Sequence, residues 1–92
     1  MAYETLNAEL LDNIGGKENI KSITHCMTRL RFKLNDESKA KTETIKQLSG
    51  VVTVVQSGGQ YQVVIGNHVG EVCDEFVKLA GIQTDQEAES DT

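Results

Sequence analysis

Long apolar runs are absent from this sequence of 92 residues. The two longest, 51–55 with Thr53 inside it and 63–65, fall far short of the roughly 18 to 20 residues that span a bilayer, so we predict no transmembrane segment. The first seven residues contain Glu4 and lack both a basic start and an apolar centre, which argues against a secretory signal. We therefore expect a cytoplasmic protein whose thiols are reduced.

Aromatic residues and positive charges are also scarce. The sequence has two Phe, two Tyr and no Trp, and its 14 acidic residues outnumber the 9 Lys and Arg, for a net charge of -5. Both features disfavour nucleic-acid binding, which relies on base stacking and broad positive surfaces. Eight of the nine cations lie within 17–46, and this local concentration predicts an anion site of limited size.

Metal and nucleotide motifs are incomplete. Two Cys and two His do not form the spaced pairs of a structural zinc site, so we expect no metal and no cofactor. The segment 15–17, Gly-Gly-Lys, resembles the end of a phosphate-binding loop. However, Leu11 occupies the position of the first glycine and Glu18 that of the Ser or Thr, so ATP binding is not implied.

Hydrophobic periodicity predicts seven elements. Helical spacing indicates helices over 3–14, from Asp36 or Ser38 to about 49, and from Asn67 or His68 to 80; extended or alternating patterns indicate strands over 20–25, 28–34, 51–56 and 61–65. The segment 57–60, Ser-Gly-Gly-Gln, is typical of a tight hairpin turn with positive φ at its centre. This order, α-β-β-α-β-β-α, predicts an α+β fold: a four-stranded, mainly antiparallel sheet with three helices on one face. We assign 1–82 to one domain and 83–92, which is acidic and almost free of apolar residues, to a disordered tail or linker.

Cys26 is the candidate nucleophile because of its neighbours. It lies between the first two predicted strands, and alternation directs Arg29 and Arg31 to the same face nearby. Cations lower the pKa of a thiol, and planar guanidinium groups suit a phosphoryl group. A buried structural role remains the alternative for Cys26, and a solvated strand face remains the alternative for the arginines.

Three other candidates receive weaker roles. His25 precedes the thiol but points to the opposite face of a strand, so it is at most a supporting residue. Lys33 is interpreted as a solvated strand residue, and Cys73 as a structural residue on the apolar stripe of the third helix.

Residues 5–80 resemble the enzyme IIB domains of the bacterial phosphoenolpyruvate-dependent sugar phosphotransferase system, within the glucose and β-glucoside superfamily. The resemblance is carried by Gly-Gly-Lys-Glu-Asn-Ile at 15–20, His-Cys-Met-Thr-Arg-Leu-Arg-Phe at 25–32, and the segment 57–69. The histidine before the cysteine, the run 33–38 and the Gly-Gly-Gln hairpin are most similar to the β-glucoside branch, with sucrose and trehalose transporters close behind.

The resemblance implies a phosphoryl carrier. Cys26 would accept a phosphoryl group from a phosphohistidine on a IIA domain and transfer it to a sugar bound by the membrane IIC domain. Arg29 and Arg31 match the two arginines of the family motif, and Thr28 matches its threonine. Backbone N–H groups of the turn 26–28, including Met27 and Thr28, and the Thr28 hydroxyl would hold the phosphate. The domain would lie in the cytoplasm at the inner face of the bacterial membrane, through the IIC domain.

Two other classes of protein remain as alternatives. One is a non-enzymatic α/β module that binds a small ligand or RNA on its open sheet. The other is a thiol redox protein, which the lack of a Cys-x-x-Cys motif disfavours.

Overall fold

The computed structural model describes residues 3–82, and the predicted tail at 83–92 lies outside the described residues. The elements are α1 (Glu4–Asn13), β1 (Ile20–His25), β2 (Arg29–Leu34), α2 (Thr42–Lys46), β3 (Thr53–Ser57), β4 (Gln60–Val64) and α3 (Val69–Ala80). Short 3-10 turns precede β1, at Lys17–Asn19, and α2, at Glu37–Lys39. The predicted element order and the α+β class are confirmed.

The four strands form one antiparallel sheet in the order β1-β2-β4-β3. The central pair aligns Leu30 with Val63 and Phe32 with Tyr61, and all four side chains are buried. Because neighbours along a strand point to opposite faces, the intervening residues lie on the other face, which the helices leave open. Arg29, Arg31 and Lys33 are on this open face, as the alternation predicted.

The core lies between the sheet and the helices. Phe32 from β2 meets Phe76 from α3 edge to face, with ring centroids 5.4 Å apart, a favoured aromatic geometry. The buried residues that surround this pair come from all three helices and all four strands: Leu6, Leu10, Ile14, Ile23, Leu30, Ile45, Val54, Val63, Val69, Val72 and Cys73. The prediction that Cys73 packs on the apolar face of the third helix is confirmed.

The second helix differs from its prediction. A single helix from Asp36 or Ser38 to about 49 is replaced by a 3-10 turn and a helix of five residues. Asp36 does act as a cap, accepting a hydrogen bond from the Ser38 amide, but the turn ends where Ala40 is extended. Ala40 is buried in that extended conformation, so tertiary packing overrides a local helical tendency.

Asn19 explains the segment that resembles a phosphate-binding loop. Its buried side chain donates to the carbonyls of Ile14, at 2.8 Å, and Asp36, at 2.9 Å, and accepts from the Asp36 amide at 2.9 Å. These bonds join the end of α1 to the end of β2. The loop therefore has a structural role, consistent with the absence of a complete nucleotide motif.

Within residues 3–82, no helix has both the length and the hydrophobicity needed to cross a bilayer. The hairpin prediction is confirmed: Gly58 and Gly59, both with positive φ, form the two-residue turn between β3 and β4.

Candidate functional site

Cys26 begins the short turn that joins β1 to β2. Its amide donates to the Arg29 carbonyl at 3.0 Å, which closes the turn and leaves Met27 at the tip with 85% of its surface exposed. The Cys26 side chain itself is half-buried. A reacting partner can therefore approach the sulfur from solvent while the turn stays fixed by the strands on each side.

The surroundings of the sulfur stabilise a thiolate. Partial burial raises the pKa of the Cys26 thiol, but the backbone N–H groups of Thr28 and Arg29 and the guanidinium of Arg31 outweigh it. The amides hydrogen-bond the sulfur, and Arg31 contributes both a hydrogen bond and its charge. The net effect is a pKa below the ordinary value, so a larger fraction of the thiol is ionised at neutral pH.

Arg31 is the arginine whose side chain reaches the thiol. On the open face of the sheet it lies between Thr24 of β1 and Gln62 of β4. Among the described residues, its Nε is a buried donor without a hydrogen-bond partner, and the buried Thr24 hydroxyl likewise has none. Buried polar groups are normally satisfied, so Arg31 and its neighbour Thr24 have unused hydrogen-bonding capacity on the open face of the sheet.

Arg29 is held differently, although it projects from the same face. Its Nη1 donates to Gln62 Oε1 at 2.8 Å, and Gln62 Nε2 donates in turn to Gln60 Oε1 at 2.9 Å. The Arg29 backbone amide, rather than its guanidinium, contacts Cys26. The two arginines thus form separate parts of one cationic surface: the Arg31 guanidinium contacts the sulfur, and the Arg29 guanidinium is bound to Gln62.

The remaining predicted site residues surround the turn. His25 Nδ1 lies 2.9 Å from the Cys26 carbonyl oxygen, to which it donates, and its ring lies near Gly70 at the start of α3. Thr28 supplies an amide to the sulfur, and its carbonyl accepts from the amides of Ile65 and Gly66. Lys33 is exposed, as expected for a solvated strand residue.

Sequence reasoning missed Gln62 and the Ile65–Gly66 amides. Gln62 is only 8% exposed despite its position on the open face, because Arg29 and Gln60 cover it. Its alternation with buried Tyr61 and Val63 could have placed it on that face. Its proximity to the arginines depends on β4 lying next to β2, which alternation does not specify.

This arrangement suits transfer of an anionic group to sulfur. A thiolate is the reactive form of cysteine, and amide donors beside a guanidinium are a common cradle for phosphate oxygens. The same donors stabilise the free thiolate and would neutralise a group attached to it.

Comparisons with known proteins point to one family. The sequence model of the phosphotransferase system EIIB family matches residues 8–40. A β-glucoside-specific EIIBCA component of the phosphotransferase system (PTS) from Halalkalibacterium halodurans is 53% identical over 91 residues, which cover 99% of this chain and 14% of that protein. A PTS sucrose-specific EIIBC component from Bacillus subtilis is 41% identical over 87 residues, covering 94% of this chain and 19% of that protein.

A solved structure agrees with these sequence matches. One domain of the PTS system IIabc component from Clostridium difficile has a TM-score of 0.80 and 33% identity, with coverage of 89% of this chain and 85% of that one. The present chain therefore matches that domain nearly in full, whereas it spans only about a seventh of the first curated relative's length.

Proposed function

Since this chain belongs to the EIIB family of the sugar phosphotransferase system, we propose that it carries a phosphoryl group on Cys26. The donor is a phosphohistidine on an EIIA domain, and the acceptor is a sugar bound by a membrane EIIC domain. The chain is in this sense a phosphotransferase, with residues 1–82 as its EIIB domain, positioned in the cytoplasm at the inner face of the membrane through EIIC. The observation that carries the proposal is the Cys26 sulfur held by two amides and Arg31.

The first step forms a thiophosphate. The Cys26 thiolate attacks phosphorus in line with the phosphorus–nitrogen bond, that bond breaks, and the histidine leaves as a neutral imidazole after taking up a proton. Little covalent assistance is needed in such transfers, so positioning and charge stabilisation provide most of the catalysis. The amides of Thr28 and Arg29 and the Arg31 guanidinium are the groups we assign to that stabilisation.

The second step reverses the role of the sulfur. A sugar hydroxyl attacks the phosphorus, the sulfur–phosphorus bond breaks, and the thiolate is regenerated while the hydroxyl proton is released. A stabilised thiolate is a better leaving group than a thiolate of ordinary basicity, so the low pKa of Cys26 serves both steps.

A β-glucoside is the sugar class we favour. Relatives named β-glucoside-specific EIIBCA components, from Halalkalibacterium halodurans and Dickeya chrysanthemi, are 53% and 50% identical to this chain. Relatives named for trehalose and sucrose, both from Bacillus subtilis, are 47% and 41% identical. Sucrose and trehalose are therefore the alternative substrates.

The carrier function is tested by following transfer of the phosphoryl group from the phosphorylated chain to a sugar. The chain is first phosphorylated by an EIIA domain, separated from it, and mixed with membranes that contain EIIC and a radiolabelled sugar. When a β-glucoside is present, we expect the chain to lose its phosphoryl group and sugar phosphate to form. Without sugar, we expect neither. Stable phosphoryl protein in the presence of every sugar tested, with membranes proven active by another EIIB, would contradict the proposal.

A further inference from the structure

Two backbone amides converge on a single carbonyl behind the Cys26 turn. The amides of Ile65 and Gly66 donate to the Thr28 carbonyl oxygen at 2.8 and 2.9 Å. Ile65 is 4% exposed and follows β4 directly, and the chain then enters α3 at Val69. The Thr28 carbonyl is therefore fastened to a segment that the core holds in place.

Because a peptide unit is planar, fixing the Thr28 carbonyl also fixes the direction of the N–H that faces the sulfur. The Thr28 carbonyl and the Arg29 N–H belong to the same peptide unit, whose bond is trans, so the two groups point in opposite directions. The carbonyl points to the β4–α3 connection, and the N–H hydrogen-bonds the Cys26 sulfur on the other side. Rotation of this plane would weaken the donor to the sulfur and the anchor together.

The anchor requires glycine at position 66. Gly66 has φ of +124°, a backbone conformation that L side chains rarely adopt. A Cβ built there would lie 3.5 Å from His68 Cε1, which is ordinary contact. The constraint is therefore the backbone conformation rather than a lack of space.

We propose that Gly66 is a positioning residue for phosphoryl transfer: its conformation and its N–H hold the Thr28–Arg29 peptide so that the Arg29 amide is aimed at the Cys26 sulfur. The role in transfer rests on the proposed carrier function. The orientation of the Arg29 amide does not depend on the carrier function, and ionisation of the Cys26 thiol measures that orientation independently.

The first test removes one hydrogen bond without changing a side chain. Cys26 and Cys73 are natural junctions for assembling the full chain by native chemical ligation, which allows glycolic acid to replace Gly66 and the amide to become an ester. The matched control is the same replacement at Gly81, whose N–H donates to Val77 at the same 2.9 Å at the far end of α3. Cys26 ionisation is measured as the rate of alkylation against pH, with the modified peptide identified by mass.

We expect the thiol pKa to rise by about half to one unit in the Gly66 ester, which lowers the thiolate fraction roughly three- to tenfold at a pH below the pKa of both proteins. The Gly81 ester should keep the wild-type value. An unchanged pKa in the Gly66 ester, or an equal rise in both esters, would overturn the proposal.

A second pair of variants tests the backbone conformation. Gly66→Ala and Gly81→Ala each place an L side chain at positive φ, +124° and +73°, so both should lower thermal stability. Only Gly66→Ala should also raise the thiol pKa and slow phosphoryl uptake roughly three- to tenfold. Equal uptake by the two variants, with wild-type uptake normal, would reject the positioning role.

The two proposals fail separately. If the wild type takes up no phosphoryl group from any donor while the Gly66 ester still raises the pKa, the carrier function is wrong and the aim of the amide stands. If the wild type is phosphorylated normally and the Gly66 ester leaves both pKa and rate unchanged, the positioning role is wrong and the carrier function stands.

Discussion

Replacing Arg31 by glutamine removes the one side chain assigned to stabilise the Cys26 thiolate. A hydrogen bond to a charged group contributes about 1.5 to 3 kcal/mol. Since Cys26 is partly exposed, solvent screens part of this interaction, and we take a value just below this range, about 1.4 kcal/mol. This corresponds to a rise of about one unit in the thiol pKa and a roughly tenfold smaller thiolate fraction at a pH below the pKa of both proteins.

Lys33→Gln is the matched control for Arg31→Gln. It removes the same charge from the same strand and face, about 7 Å further from the turn, and its side chain is exposed. Peptide-resolved alkylation of Cys26 across a pH series measures both variants, and circular dichroism checks that both fold. An unchanged pKa in Arg31→Gln, or an equal shift in Lys33→Gln, would refute the role assigned to Arg31.

Arg31→Lys separates charge from geometry. The lysine keeps the positive charge but replaces a planar fork by a point charge. We expect a thiol pKa between those of the wild type and Arg31→Gln, together with transfer to sugar that remains impaired. Full recovery of transfer would mean that charge alone is sufficient.

Three further outcomes are expected. Asn19→Ala should lower the free energy of unfolding by about 3 kcal/mol in urea denaturation because it removes three hydrogen bonds, one buried and two partly buried. Asn35→Ala, which removes one exposed hydrogen bond, should cost less than about 1 kcal/mol, and equal losses would refute the assignment of Asn19 as a structural anchor. Because the folded-state pKa of Cys26 is lowered, the stability gained from its ionisation is present above the unfolded-state pKa and lost as pH falls through the folded-state pKa. In denaturant titrations, the stability of the wild type relative to Cys26→Ser should therefore rise from neutral to alkaline pH. A stability difference that does not change with pH would contradict the lowered pKa. Arg29→Lys should slow transfer to sugar while leaving the thiol pKa nearly unchanged, since its guanidinium is bound to Gln62; a large pKa change would show that the tether is wrongly assigned.

The sequence was sufficient to predict which residues of β2 lie on each face of the sheet. Alternation in β2 correctly separated buried Leu30 and Phe32 from Arg29 and Arg31, because burial of one face imposes a period of two along a strand. The same regularity at a period of 3.6 identified the long helices α1 and α3.

Two failures have a common physical cause, since each depends on contacts distant in sequence. The second helix was predicted too long because Ala40 is buried in an extended conformation that only the rest of the core explains. The structural role of Asn19 was not predicted, since its partner Asp36 is 17 residues away in the sequence.

The site was predictable as far as Cys26 and the two arginines, which are close in sequence. That Arg31 contacts the thiol while Arg29 is bound to Gln62 depends on the pairing of β2 with β4. The amides of Ile65 and Gly66 carry no side-chain signal, so their role at the turn could be recognised only from coordinates.

The most direct measurement of the central claim is the intact mass of the chain after incubation with phosphoenolpyruvate, the two general phosphotransferase proteins and an EIIA domain. The account predicts one phosphoryl adduct on the wild type and none on a folded Cys26→Ser variant. An adduct that persists in Cys26→Ser would contradict it. So would an unmodified wild type across a panel of EIIA donors shown to be phosphorylated.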